Sequence, residues 1–312
     1  MAKWLLILGA VFCFTPWASS AVGLILGIAI ALTLGNPYAT QSRALTPKLL
    51  SWAIIGLGAG MNLETVARVG LAGFGYTLVG ITATFGIGMI LRRILRVPRE
   101  VSLLITVGTA ICGGSAIAAA APVIRAKAPE VSVALGTVFL LNALALILFP
   151  YIGHALQLSE TQFGLWSALA IHDTSSVVGS TLQYGPHALE VGTTVKLARA
   201  LWIVPVTLGL GWCSRRSSGA DGTRPKAKRP WFILGFLGAA ALVTALPVLQ
   251  PAGHLLEQGA KRLMIFILFL IGAGITRATL KSVGARPLLQ GILLWLIVAS
   301  GTLAAITQGW IH

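Results

Sequence analysis

Acidic side chains are nearly missing from this chain: 8 Asp and Glu stand against 23 Lys and Arg in 312 residues, and charged residues amount to only 10%. A soluble domain carries about 25% charged residues, so the scarcity excludes a water-facing surface over most of the molecule. Cysteine is scarce too. Cys13, Cys112 and Cys213 are far apart and odd in number, which excludes a disulfide framework and thiolate metal spacing. A nucleophile–base triad, a zinc spacing and a phosphate-cradling loop are also missing. No enzyme is therefore expected, and no cofactor is implied.

What is present in excess is apolar sequence, 56% of residues with a mean hydropathy of +0.87. Apolar runs recur at about 4–14, 20–34, 48–62, 70–91, 101–124, 130–153, 162–184, 190–213, 231–249, 260–275 and 287–310. Most approach the roughly 20 residues that cross a hydrocarbon core. The fold class expected is an all-α polytopic membrane protein of about 9–11 transmembrane helices, forming one membrane transporter domain over residues 1–312. The first two runs are short for full spans. Lys3, the run after it and Ala18-Ser19-Ser20-Ala21 have the outline of a cleaved signal peptide, but a retained first helix is the preferred reading.

The formal charge of +15 sits in short clusters between apolar runs and is not interleaved with aromatics on a soluble face. The expected partner is the lipid bilayer, with anionic headgroups at the clusters, and not nucleic acid. Four clusters belong to cytoplasmic loops by the positive-inside rule: Arg43/Lys48, Arg92 to Arg99, a basic linker at about 214–230, and Arg277/Lys281/Arg286. A multi-pass protein of the bacterial inner membrane with a cytoplasmic N-terminus and an external C-terminus satisfies them all. Arg125 and Lys127 resist. They fall outside if 101–124 spans the bilayer, and inside if that segment enters and leaves by one face. Segment 162–184 is then re-entrant from the opposite face; the alternative is two broken helices that cross fully.

Internal similarity points to inverted repeats. Gly58-Ala59-Gly60, Thr65, Val69 and Gly70 recur in spacing as Gly272-Ala273-Gly274, Thr279, Val283 and Gly284. A second echo pairs Ala110-Ile111 and Ser115 with Ala170-Ile171 and Ser175.

The second echo marks the polar interruptions. In Cys112-Gly113-Gly114-Ser115 the adjacent glycines permit a break, and Ser115 is expected to cap the half-helix that follows. The N–H groups and dipole of such a helix end bind anions; the bland reading is a glycine packing notch. In His172-Asp173-Thr174-Ser175-Ser176, Asp173 is the only acidic residue well inside an apolar run. A carboxylate there suits proton coupling, shared or relayed by His172. The bland reading makes Asp173 a helix cap and His172 a satisfied polar residue. Lys196 and Arg199 share one helix face, where they either hold an anion or snorkel to the interface. Asn142 reads as a helix–helix hydrogen bond, Asn62 as an accompaniment of a helix C-terminus, and Pro150, Pro205 and Pro247 as kinks.

Three stretches, Gly58 to Leu63, Ile111 to Ala118 and Ile171 to Gly179, together with Lys196, Arg199 and Pro205, give the chain a further feature. It resembles the YeiH-type sulfate exporter family of bacterial inner-membrane proteins over most of its length. The resemblance implies a secondary carrier related in fold to the bile-acid and cation–proton antiporter group, with crossing interrupted helices. The combined expectation is a secondary active transporter of a small inorganic or organic anion (sulfate, sulfite or an organosulfonate), with a proton as candidate coupling ion. Cys112, Gly113, Gly114, Ser115, Thr174, Ser175, Ser176, Lys196 and Arg199 are the expected substrate-binding residues, and Asp173 and His172 the proton-coupling ones. An anion channel, a cation–proton antiporter, and an enzyme using His172 and Asp173 as acid and base are the alternatives. A homo-oligomer stays open.

Overall fold

The computed structural model describes residues 2–217, 231–277 and 283–311. The basic linker expected at about 214–230 lies outside them from residue 218 onward, as do Thr279 and Lys281. The described chain is built from helices, without strands: α1 (Ala2–Phe12), α2 (Ser20–Thr33), α3 (Ala39–Gly58), α4 (Leu63–Leu95), α5 (Arg99–Ala110), α6 (Gly114–Val123), α7 (Ala128–Ala155), α8 (Glu160–Ala170), α9 (Thr174–Tyr184), α10 (Pro186–Ala200), α11 (Ile203–Ser217), α12 (Trp231–Ala245), α13 (Gln250–Ala273) and α14 (Ala285–Thr307). By length and composition alone, α4, α7, α10 joined to α11, and α14 are able to cross a membrane. The pair α12 and α13 forms one more candidate, bent by 111° around Pro247. This is an all-α polytopic membrane protein.

Contacts along α4 fix the directions of the others. Gly70 and Gly73 of α4 face Thr194 and Val195 of α10, and Phe74 stacks near Trp202 at 5.0 Å. The helix α4 therefore runs parallel to α10 and α11, and Leu95 and Ser217 end at the same face. A Cβ on Gly211 would lie 3.5 Å from Val123 at the end of α6. So α5 leaves that face and α6 returns to it: the pair is a re-entrant hairpin. At the opposite face Tyr184 Oη donates to Leu158 O (2.6 Å), and the Phe163 and Tyr184 rings stack at 3.7 Å. Glu160 accepts from the N–H groups of His187 and Ala188 (2.7 and 3.1 Å). The start of α8 thus lies beside the end of α9, which makes a second hairpin entering from the other side. Between them α7 crosses, its Phe139 against Gly114 and its Gly153 against Phe163.

This arrangement resolves the position of Arg125 and Lys127. They lie at the same face as Arg92, Arg93, Arg96 and Arg99, because 101–124 doubles back.

The first two helices form a third, shallower hairpin on that basic face. A Cβ on Gly9 would sit 3.4 Å from Leu26, and Cys13 Sγ lies 3.8 Å from the Cβ position of Gly23. At 11 and 14 residues these helices are about 16 and 21 Å long, short of the roughly 30 Å core. Helix α2 is pressed onto α13 through reciprocal glycines: a Cβ on Gly27 would meet Phe269 O at 2.2 Å, and one on Gly272 would meet Leu24 O at 2.3 Å. Backbones that close need residues without a side chain. Helices α3 and α13 run antiparallel, with Gly56 against Ala260 and Gly60 against Glu257. The Gly58 and Gly272 echoes thus end two helices of opposite direction.

Several local expectations change. Asn62 does not serve the helix before it; its Oδ1 caps α4 by accepting from Glu64 N and Thr65 N (2.8 and 3.3 Å). Pro205 lies just inside α11, after the break at Leu201–Trp202, while Pro150 lies within α7.

Candidate functional site

The two long hairpins touch at their turns. Helix α5 closes with Ile111 N donating to Val107 O (3.1 Å) and Gly113 N to Gly108 O (2.9 Å). Gly113 then takes φ 66°, ψ −126°, a conformation open only to glycine. A Cβ on it would lie 3.1 Å from Asp173 Cβ and 3.3 Å from Asp173 Cα. The glycine is needed for its backbone angles and for the close approach of the second hairpin.

Helix α6 starts without a side-chain cap. Ser115, expected in that role, lies inside the first turn and its side chain is exposed; the cap position belongs to Gly113, which has no side chain to offer. The first helical bond runs from Ile117 N to Gly113 O. The N–H groups of Gly114 and Ser115 find no acceptor among the described residues. Such donors in a water-poor interior, at the positive end of a dipole, favour an anion. Cys112 is buried at the turn as a free thiol.

The second turn is closed. Asn142 Oδ1, reaching in from α7, accepts from both His172 N (3.1 Å) and Asp173 N (3.4 Å). Asp173 caps α9, its carboxylate accepting from Ser175 N (3.0 Å) and Ser176 N (3.2 Å). The hydroxyls of Ser175 (2.8 Å) and Ser176 (2.7 Å) donate to it as well, and Thr174 is buried beside them. The four donors occupy the oxygens on which a coupling proton was expected to land.

Lys196 and Arg199 do not snorkel: they are 0% and 1% exposed. Arg199 joins the two hairpins. Its Nε donates to Ala110 O (2.8 Å) and Nη2 to Thr109 O (3.1 Å), while Nη1 reaches Ala168 O (3.2 Å) and Leu169 O (2.5 Å). Lys196 Nζ donates to Ala168 O (3.3 Å) and Ile171 O (2.5 Å). The acceptors are the unpaired last carbonyls of α5 and α8. Cations belong at such ends on electrostatic grounds, and in a bilayer those carbonyls have no water to bind. The two cations expected to grip an anion directly therefore hold backbone instead, and the donors of Ser175 and Ser176 hold the Asp173 carboxylate.

The formal charges at the crossing are two cations and one carboxylate. No ion pair within 4 Å joins them among the described residues. Around them several buried polar atoms lack partners: both ring nitrogens of His172, Asn142 Nδ2 and Thr109 Oγ1. No group of three His, Cys, Asp or Glu able to hold a metal occurs among the described residues. Sequence reasoning passed over Asn142 as a clamp on the second turn. The available signal was a lone amide at the middle of an otherwise apolar span.

Residues 4–291 match the family model described as conserved hypothetical protein 698. The chain belongs to that family. Members of similar length are membrane proteins by name. A UPF0324 membrane protein of Bdellovibrio bacteriovorus is 64% identical over 305 residues, 98% of this chain and 94% of that one. Those of Geobacter sulfurreducens and Bacteroides thetaiotaomicron are 47% and 44% identical over 298 residues, covering 96% and 94% of this chain and 94% and 88% of theirs. No solved structure matches. In this chain the hairpin crossing is the place where buried polar groups, charges and helix ends converge.

Proposed function

We propose that the protein is a secondary active transporter of small anions in the bacterial inner membrane, and not an enzyme. One observation carries this reading. Two hairpins enter from opposite faces and meet at a point with an excess of positive charge and an uncapped helix N-terminus. A site framed by elements anchored to opposite faces can be exposed to each face in turn by a modest rocking motion. Irregular backbone at this depth is tolerated only where protein or a polar cavity surrounds it. The sequence resemblance to sulfate exporters supports the same reading and is the reason for proposing sulfate, sulfite and organosulfonates as candidate solutes.

The basic face, with Arg92, Arg93, Arg96, Arg99, Arg125 and Lys127, is read as cytoplasmic, which puts the N-terminus inside. Within the site we assign Asp173 to capping α9 and Lys196 and Arg199 to holding the turns. Gly114, Ser115 and the unpartnered groups around them are assigned to the anion. Cation–proton antiport fits less well, because the buried cations oppose cation entry and the carboxylate is already saturated with donors.

Proteoliposome flux with a panel of oxyanions, with and without a pH gradient, tests the proposal. Saturable counterflow of at least one anion is the expected result. Unsaturable flux would indicate a channel, and flux of cations alone would reject the reading. The orientation is checked by a cysteine placed at Lys127 in intact cells, which should react only with reagents that reach the cytoplasm.

A further inference from the structure

We infer that the crossing is selective for a singly charged oxyanion, and that Asn142 is one of its ligands. This rests on the transport-site reading and adds to it a substrate charge and a binding residue. The first line of argument is geometric. Phe139 of α7 lies 3.0 Å from the Cβ position of Gly114 at the start of α6. One turn further along α7, Asn142 reaches the turn of the second hairpin, itself in contact with Gly113. The Asn142 amide is therefore bound to the second turn, on the stretch of α7 that also packs against the start of α6.

Its orientation is fixed. Oδ1 must face the two N–H groups it accepts from, which leaves Nδ2 as a donor on a residue 2% exposed, with no acceptor. A buried donor without a partner is destabilising. The N–H groups of Gly114 and Ser115, at the start of the helix against which the same stretch of α7 packs, are likewise without acceptors among the described residues. The oxygens of an anion seated at the start of α6 would satisfy all three. His172, with two unpartnered ring nitrogens at 1% exposure, is available to the same ligand as a neutral donor or acceptor.

The second line is charge. Counted formally, Lys196 and Arg199 against Asp173 leave one net positive charge, with His172 and the Cys112 thiol, the other titratable side chains at the two turns, taken as neutral. A monoanion brings the buried assembly to neutrality. A dianion leaves a net negative charge in a medium of low dielectric, which is strongly disfavoured.

The test uses purified full-length protein in detergent, with calorimetric titration of methanesulfonate and of sulfate at a pH where each holds a fixed charge. Methanesulfonate is expected to bind at least about tenfold more tightly than sulfate. Asn142→Asp keeps the Oδ1 clamp and replaces the donor with an anion, so methanesulfonate binding should be lost. Asp173→Asn retains an acceptor for α9 while raising the net charge by one, so the preference should move toward sulfate by about tenfold or more. Tighter binding of sulfate by the unaltered protein overturns the inference, as does undiminished methanesulfonate binding by folded Asn142→Asp. Should that variant fail to fold, an unchanged preference in Asp173→Asn overturns it alone. Binding as expected without any flux would remove the transport reading and leave the site. Flux with the opposite charge preference would do the reverse.

Discussion

The two long hairpins are built to the same plan and finished differently. Each ends its first helix at an alanine followed by isoleucine, Ala110-Ile111 and Ala170-Ile171. Each has its last carbonyls bound by Arg199, and Lys196 adds to those of the second. Their second helices diverge. Helix α9 begins with Asp173, whose carboxylate satisfies two N–H groups and two hydroxyls; helix α6 begins with Gly113, which satisfies none. Within one crossing, then, one helix end is sealed by the protein and the other is left for something else. The lesson is that uncapped donors carry meaning only beside a capped counterpart, because the same fold shows it was able to close such an end.

Mutations that act on both hairpins at once should have the largest effect. Arg199→Gln removes a cation from four carbonyls shared between the turns, and is expected to cost about 3–5 kcal/mol, read as a lowered unfolding temperature in detergent. A cost no larger than that of an ordinary core truncation would show that the turns hold without it. Gly113→Ala comes next, at about 2–3 kcal/mol, since it forces a side chain into a glycine-only conformation and against Asp173. Stability near that of the unaltered protein would mean that the turns are further apart than described. The sharpest test of the comparison is a pair of smaller effects. Asp173→Ala should cost about 1–2 kcal/mol through the lost cap, whereas Ser115→Ala should change stability by less than about 0.5 kcal/mol. Equal effects from the two substitutions would erase the asymmetry between the hairpins.

Much of this was legible in the chain before any fold was known. Glycine pairs, hydroxyls and an ionisable pair inside apolar runs identified both interruptions, since polar groups at membrane depth must have a purpose or a partner. Asp173 carried both of its readings, cap and proton carrier, and residue type alone does not separate them. Ser115 misled for a simpler reason: Ser is a common cap, but the backbone turned two residues earlier, at Gly113. Lys196 and Arg199 announced themselves by depth while concealing their acceptors, which are carbonyls about 25–90 residues away in sequence and carry no side-chain signature.

Sequence by itself determined that this protein lives in a bilayer and that its helices break at two places, and it led to the expectation that four of its basic clusters share a face while leaving Arg125 and Lys127 open. Those features follow from local composition, because transfer into hydrocarbon is governed residue by residue. Only tertiary structure decided that the broken segments double back, that one arginine ties both turns together, and that the start of α6 is left open. Each of these depends on which distant carbonyl meets which donor, and in a membrane interior every such group must find its partner across space or remain without one.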